Sequence, residues 1–535
     1  MVSRLTILIA GFSLAYSFLV FHLYQLQLEK GDYYLARAAA LNGAGLQYER
    51  RGSIYFTDKQ GNGVPAVSNK DFPTVYAVPK TIVDAKGAAV SIAPLFGLDP
   101  ALLEKKFANK DDSYELLGKK VSSELADQVD KLNIKGIYVN ILPQRFYPFG
   151  TLAAHVLGYV GPSKSDLGFE GHYGVEEQYN EMLSGKDGEE GQSLALTIDP
   201  NIQLEAERIL EKLVTEKKAK NGSLVVEDPK TGKILTMASF PNYDPNNYTL
   251  SNVSSYLNPV TQEIYEPGSV FKIITMAAGI DSGKITPNTT YTDTGSLVLN
   301  GKKIMNWDLQ AHGTMTMTNV IEKSLNTGAA FAEARTGNDV FSSYVKKFGF
   351  GEKTGIDLQG ELKGNIKSLF KADSPQIAFT TASFGQGVAV STIELAGAFS
   401  AIANGGTLYR PYLDSALSPQ AVRSVISNST ARQVTGMMVS ALEKAEVAKI
   451  NGYSIAGKTG TAQVADLTYG GYYPDRVIDT YAGFGPTSDP RFVIIIKLTE
   501  PEGAPLAGTT VVPVFRDLAQ FIINYYNIPP DKLSQ

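Results

Sequence analysis

Ser269 and Lys272 are the residues whose types and spacing best fit nucleophilic chemistry in this chain. They lie in Glu266-Pro267-Gly268-Ser269-Val270-Phe271-Lys272, and the run after them, Ile273-Ile274-Thr275-Met276-Ala277-Ala278, is apolar almost all round. Pro267 and Gly268 break the chain. The apolar run predicts a buried helix, because a surface helix keeps a polar face. Ser269 then stands at the helix N-terminus, where backbone N–H groups are unpaired, and the Lys272 amine rises on the same face as the hydroxyl. Desolvation disfavours an ammonium, so a lysine in such surroundings has a lone pair free to take the serine proton.

Two other tetrads of this kind lack that setting. Ser343-Tyr344-Val345-Lys346 follows a helical pattern that leaves Lys346 and Lys347 solvated, and Ser368-Leu369-Phe370-Lys371 sits in a polar loop. Beyond Ser269 come Ser324-Leu325-Asn326 and then Lys458-Thr459-Gly460-Thr461. Lys230-Thr231-Gly232 and Lys353-Thr354-Gly355 repeat the last triplet in a turn and a Gly-rich loop. Only Lys458 follows a strand-like run, Tyr453 to Ala456, and comes after both other motifs. The ordered set SxxK, SxN, KTG resembles the penicillin-binding protein and serine β-lactamase superfamily.

That resemblance implies a role for each residue. Ser269 attacks an amide or ester carbonyl, Lys272 is the candidate base, and Lys458 is a second cation that depresses the Lys272 pKa. Ser324 can pass a proton between lysine and leaving nitrogen, since a hydroxyl donates and accepts. Asn326 can hold the substrate's peptide amide. Backbone N–H groups of Ser269 and Thr461 would form the oxyanion hole. Lys458, Thr459 and Thr461 would bind a substrate carboxylate, while Gly460 leaves room for the substrate against the sheet. No cofactor or metal is expected.

The elements that must position these residues are partly legible. Leu194 to Asp199 and then Asn201 to Lys218 read as a strand followed by an amphipathic helix. Ser223–Glu227 and Ile234–Ser239 read as strands joined by a turn, and Tyr453–Gln463, Asp479–Phe484 and Arg491–Leu498 as three more. A final helix from about Val514 to Tyr526 offers Phe515, Leu518, Ile522 and Tyr525 at helical spacing. In the middle, Ser391-Thr392 caps an apolar run ending at Asn404-Gly405-Gly406. Five strands split between the two ends of a domain, with helices between, argue for α+β: one five-stranded antiparallel sheet flanked by helices.

The 535 residues suggest several domains, with 43% hydrophobic and 19% charged residues supporting a sizeable core. A net charge of −5 gives no reason to expect nucleic acid as a partner. The absence of cysteine excludes thiol catalysis and disulfides. His22, His155, His172 and His312 are too scattered to propose a metal site. Thr6 to Tyr24 is apolar and uncharged, long enough for a bilayer-spanning helix, and reads as an uncleaved signal anchor in the cell membrane. Arg4 favours a cytoplasmic N-terminus and an exported remainder. Domain boundaries are expected at 1–27 for the anchor, 28–193 for a mixed α/β pedestal and 194–535 for the catalytic domain.

In the pedestal, a charged helical stretch is expected near Ala101 to Leu132. Arg51-Gly52-Ser53-Ile54, Arg145-Phe146-Tyr147-Pro148, Ala153 to Gly161, Gly168 to Gly171 and Gly174 to Glu177 resemble class B penicillin-binding proteins. The family's usual Asp-Arg after the first motif is replaced by Tyr55-Phe56-Thr57. Arg51 reads either as a buried bidentate anchor or as a solvated arginine. The match over nearly the whole chain implies D,D-transpeptidation of peptidoglycan stem peptides ending in D-Ala-D-Ala. It also implies acylation by β-lactams and, as a partner, a polytopic lipid II polymerase. Asn326 in the middle motif and the runs Tyr481–Pro486 and Pro513–Arg516 resemble division-type members, although Leu325 replaces the usual serine. An elongation-type enzyme, a carboxypeptidase, a β-lactamase and a β-lactam sensor or scaffold are the alternatives.

Overall fold

The computed structural model describes residues 50–112, 114–163, 169–185, 189–445, 448–466 and 468–532, together with Phe12, Tyr16, Phe18 and Leu19. Most of the Thr6–Tyr24 anchor therefore lies outside the described residues; those four positions are helical and exposed. No helix among the described residues is long and apolar enough to cross a membrane.

The N-terminal part is built on β1 (Ile54–Thr57), β2 (Gly63–Ala77), β3 (Glu115–Gly118), β4 (Ile137–Phe146) and β5 (Leu194–Ala195). They form one sheet in the order β3-β2-β1-β5, with β4 also paired to β2. The charged stretch expected as helical is split: Pro100–Ala108 and Ser123–Lys131 are helices, but β3 lies between them. Leu117 is buried there, and pairing with Val75 to Ala77 of β2 overrides the local helical tendency.

Arg51 settles as the buried anchor. Its Nε donates to Glu176 Oε2 at 2.7 Å, and Arg145 Nε donates to Glu176 Oε1 at 2.6 Å, all three residues being buried. Arg51 also donates to the Glu176 carbonyl and to Ser184, and Arg145 to the Gly52 carbonyl. Burial alone would raise the Glu176 carboxyl, but the two guanidiniums outweigh it and hold the group below the usual range. The resembling motifs thus meet in space because one carboxylate binds both arginines.

The strand expected over Leu194 to Asp199 is shorter than its sequence suggests. Leu194–Ala195 pair in parallel with β1, whereas Thr197 and Asp199 donate backbone bonds to Leu413 and Leu235. Asp199 then caps α1 (Pro200–Glu216).

The second sheet holds β6 (Asn221–Glu227), β7 (Ile234–Phe240), β8 (Ala456–Ala465), β9 (Tyr472–Gly485) and β10 (Phe492–Thr499) in the antiparallel order β8-β9-β10-β6-β7. This is the expected five-stranded sheet. Every residue of β10 is buried, because helices cover both faces. Ile494, Ile496 and Leu498 pack with α1 and with α6 (Val511–Tyr526). Val493 and Ile495 face the opposite core, which holds α2 (Lys272–Asp281) and α5 (Thr392–Ala403). β9 begins at Tyr472, seven residues before its expected start at Asp479. Its first residues are mostly exposed, so they carry no apolar pattern, and Pro474 makes them read as loop.

Candidate active site

Ser269 sits in a 3₁₀ turn, Gly268–Phe271, that runs directly into α2. Residues 272 to 280 are all buried, as the apolar run predicted. Gly268 is held at φ +61°, and its N–H donates to the Gly385 carbonyl at 3.1 Å. A Cβ on Gly385 would lie 2.1 Å from the Gly268 carbonyl oxygen, so only glycine permits this approach. On the other side, a Cβ on Gly460 would lie 2.6 Å from the Pro267 carbonyl oxygen and 3.2 Å from the Val270 nitrogen. Strand β8 therefore presses its backbone against the turn that carries the serine.

Lys272 is completely buried. Burial first, and the neighbouring Lys458 second, hold its amine well below the ordinary lysine range. Its Nζ donates to the Ser324 carbonyl at 2.6 Å and to Ser324 Oγ at 3.3 Å. Lys458, on β8, donates to the same Oγ at 3.0 Å and to the Thr459 carbonyl at 2.9 Å. Burial lowers the Lys458 amine to about 7.

Ser324 ends α3 (Met317–Lys323) in the left-handed conformation at φ 57°. Leu325 is fully buried, and α4 (Asn326–Thr336) starts immediately after it. A leucine fits the middle of this motif because that side chain packs into the core. Asn326 Nδ2 donates to the Met305 carbonyl at 2.9 Å. Three of the expected residues are thereby linked, Lys272 and Lys458 meeting at Ser324; Ser269 lies on the turn that leads into the Lys272 helix, and Asn326 is two positions from Ser324.

The residues of the last motif divide. Thr459 accepts a bond from Lys458 on its carbonyl, and Gly460 faces the serine turn. The Thr461 hydroxyl is already engaged, donating to Asp479 at 2.9 Å and accepting the Ala507 N–H at 3.1 Å. Sequence reading missed Asp479, whose signal was a carboxylate inside an apolar strand. It also missed Glu266, which accepts the Gly387 N–H at 2.9 Å and the Tyr472 hydroxyl at 3.0 Å beside the serine turn.

The decoys stay apart from this site. Ser343, Lys346 and Lys371 line a cleft of about 750 Å³, but all three are exposed, so nothing strips water from those amines. His155 is buried, bonded to the Ser255 carbonyl and lowered by burial to about 4; His312 bonds Asp308, and His22 lies outside the described residues.

Residues 222–520 match the family model described as "Penicillin binding protein transpeptidase domain". Residues 47–226 match the "Penicillin-binding Protein dimerisation domain". The chain is 31% identical over 513 residues to stage V sporulation protein D of Bacillus subtilis, covering 88% of this chain and 78% of that protein. It is 29% identical over 516 residues to the peptidoglycan D,D-transpeptidase FtsI of Escherichia coli, covering 90% and 85%. Among solved structures, penicillin-binding protein 2X of Streptococcus thermophilus superposes with a TM-score of 0.72 at 20% identity, covering 90% of this chain and 81% of that one. Penicillin-binding protein 3 of Mycobacterium tuberculosis, complexed with aztreonam, gives 0.70 at 25%, covering 91% and 98%.

Proposed function

This chain belongs to the penicillin-binding protein transpeptidase family as a class B peptidoglycan D,D-transpeptidase, and we propose that it works through an acyl-enzyme on Ser269. The observation that carries this reading is the buried Lys272 amine, depressed in pKa and sharing Ser324 with Lys458. Neutral Lys272 takes the Ser269 proton as Oγ attacks the carbonyl between the two D-alanines of a stem peptide. Backbone N–H groups of Ser269 and Thr461 receive the oxyanion. The proton passes through Ser324 to the leaving nitrogen, and D-alanine departs. An amine of a neighbouring strand then attacks the ester, giving its proton back along the same route and releasing Ser269. Asn326 holds the peptide amide, and Lys458 with Thr459 holds the terminal carboxylate.

A β-lactam enters the same path, but its opened ring stays attached and blocks the second step. The Mycobacterium tuberculosis relative forms a complex with aztreonam, which supports binding of such a ligand here. We further propose division-type work at the septum, beside a lipid II polymerase and anchored by Thr6–Tyr24; Asn326 in the middle motif and the runs Tyr481–Pro486 and Pro513–Arg516 support it. The sporulation protein among the relatives favours a second reading, a role confined to sporulation.

Ser269→Ala should abolish covalent labelling by a fluorescent penicillin while leaving the melting temperature near that of the wild type. Mass spectrometry of the labelled wild-type chain should place the adduct on Ser269; an adduct on Ser343 or Ser368 would refute the assignment. For the cellular role, depletion giving filamentous cells and a mid-cell fusion supports division. Rounded cells with lateral-wall signal support elongation, and normal growth with defective spores supports the sporulation role.

A further inference from the structure

The reaction described above uses Thr461 through its backbone, yet its side chain is tightly held. Thr461 and Asp479 are direct partners across the β8–β9 pair. The Thr461 hydroxyl gives its proton to Asp479 Oδ1 at 2.9 Å and takes the Ala507 N–H at 3.1 Å. Asp479 Oδ2 accepts the Thr510 hydroxyl at 2.7 Å. Ala507 and Thr510 belong to the short turn that leads into α6. One carboxylate therefore joins the motif strand, its neighbour and the entry to the last helix.

Nothing in ordinary packing calls for an acid here. Asp479 is fully buried, and the groups that offset its burial are the Thr510 and Thr461 hydroxyls rather than a cation. Burial pushes the carboxyl up to about 6, which leaves it ionised at neutral pH and able to accept from both threonines. A buried unpaired charge is unfavourable, and a valine facing a valine across the two strands would fill similar volume without it. What the apolar pair lacks is direction: it does not orient a hydroxyl or tie the Ala507 turn to the edge strand.

We propose that Asp479 is a positioning residue for acyl transfer, holding Thr461 and the Ala507–Thr510 turn so that the β8 backbone keeps its place against the Ser269 turn. The close approach of Gly460 to Pro267 and of Thr461–Ala462 to Gly268 leaves little slack in that contact. The inference rests on reading Ser269 as the nucleophile and the Thr461 N–H as an oxyanion donor. A donor aimed at developing charge acts in the transition state, so displacing it slows acylation more than it weakens initial binding. It also takes the Thr461 hydroxyl out of the set that binds the substrate carboxylate, leaving Lys458 and Thr459.

The test is stopped-flow labelling of the full chain with a fluorescent penicillin, resolving the dissociation constant from the acylation rate constant. Thr461→Val and Asp479→Ala should each slow acylation by about tenfold or more, with the dissociation constant within about twofold of the wild type. The double variant should be no slower than the slower single one, because both break one connection. Thr461→Ser and Asp479→Asn, which keep the hydroxyl and an acceptor oxygen, should retain most of the rate. Should Asp479→Ala fail to fold, Thr461→Val and Thr510→Val carry the same test. A lowered melting temperature with an unchanged rate constant, or independent additive losses, overturns the inference. Absent labelling of the wild-type chain overturns the nucleophile assignment and this inference together; normal wild-type labelling with an unaffected Thr461→Val variant overturns this inference alone.

Discussion

Two amines converge on one hydroxyl, since Lys272 and Lys458 both donate to Ser324 Oγ. Two ammonium ions side by side repel, and burial disfavours each, so the pair holds fewer protons than two solvated lysines would. The proposed mechanism gives them separate tasks: Lys272 on a proton and Lys458 on a carboxylate. Lys272→Ala should slow acylation by about 100-fold or more with little change in initial binding, whereas Lys458→Ala should mainly raise the dissociation constant. The pH profile should split the same way. Acylation slows as pH falls, because Lys272 gains a proton. Binding of a carboxylate-bearing penicillin weakens as pH rises through about 7, because Lys458 loses one. Stopped-flow titration from pH 5.5 to 9 resolves both, and a pH-dependent dissociation constant persisting in Lys458→Ala would contradict the assignment.

At the scale of elements, buried carboxyl groups mark where the sheets are tied or strained. Glu227 ends β6 completely buried, and burial, only partly offset by the nearby Ser400 hydroxyl, pushes its carboxyl up to about 8. Folding must therefore take up a proton. That contribution to stability is fully present below the unfolded carboxyl pKa and is lost as pH rises through about 8. Glu227→Met should raise stability at pH 7 by about 2 kcal/mol, and the gain in urea midpoint should shrink toward pH 5. The Arg51–Glu176–Arg145 triad is the opposite case, a buried acid bonded on both oxygens. Glu176→Gln removes the negative charge that both guanidiniums bond and should cost about 3–5 kcal/mol, seen as a lower melting temperature of the full chain.

Across the whole molecule, the two parts are joined by specific polar contacts. Glu207 on α1 accepts the Ala153 N–H at 2.7 Å, Asn246 exchanges bonds with the Tyr147 backbone, and the Tyr179 hydroxyl donates to Asp357 at 2.7 Å. None of these contacts involves the proposed anchor. Removing residues 1–27 should therefore leave a soluble chain that labels with penicillin at the wild-type rate. Loss of labelling in that variant would show that the first segment does more than hold the protein at a membrane.

The motifs of the candidate site were legible in sequence because its parts are short and local. A serine three residues before a lysine, a Ser-x-Asn and a Lys-Thr-Gly each keep their spacing wherever they stand, and apolar periodicity placed the five strands and the buried helix near them. The limits of that reading are equally physical. Sequence spacing cannot say that Lys272 and Lys458 share one oxygen, because Ser324 comes from a separate helix end. Nor can it choose between a buried and a solvated Arg51, since Glu176 is distant in the chain. The exposed start of β9 and the short β3 carry too little apolar pattern to announce themselves. Asp479 looked like an ordinary strand residue until its neighbour across the sheet proved to be Thr461. Local chemistry wrote the motifs; long-range pairing decided which side chains they meet and therefore what each amine and hydroxyl is free to do.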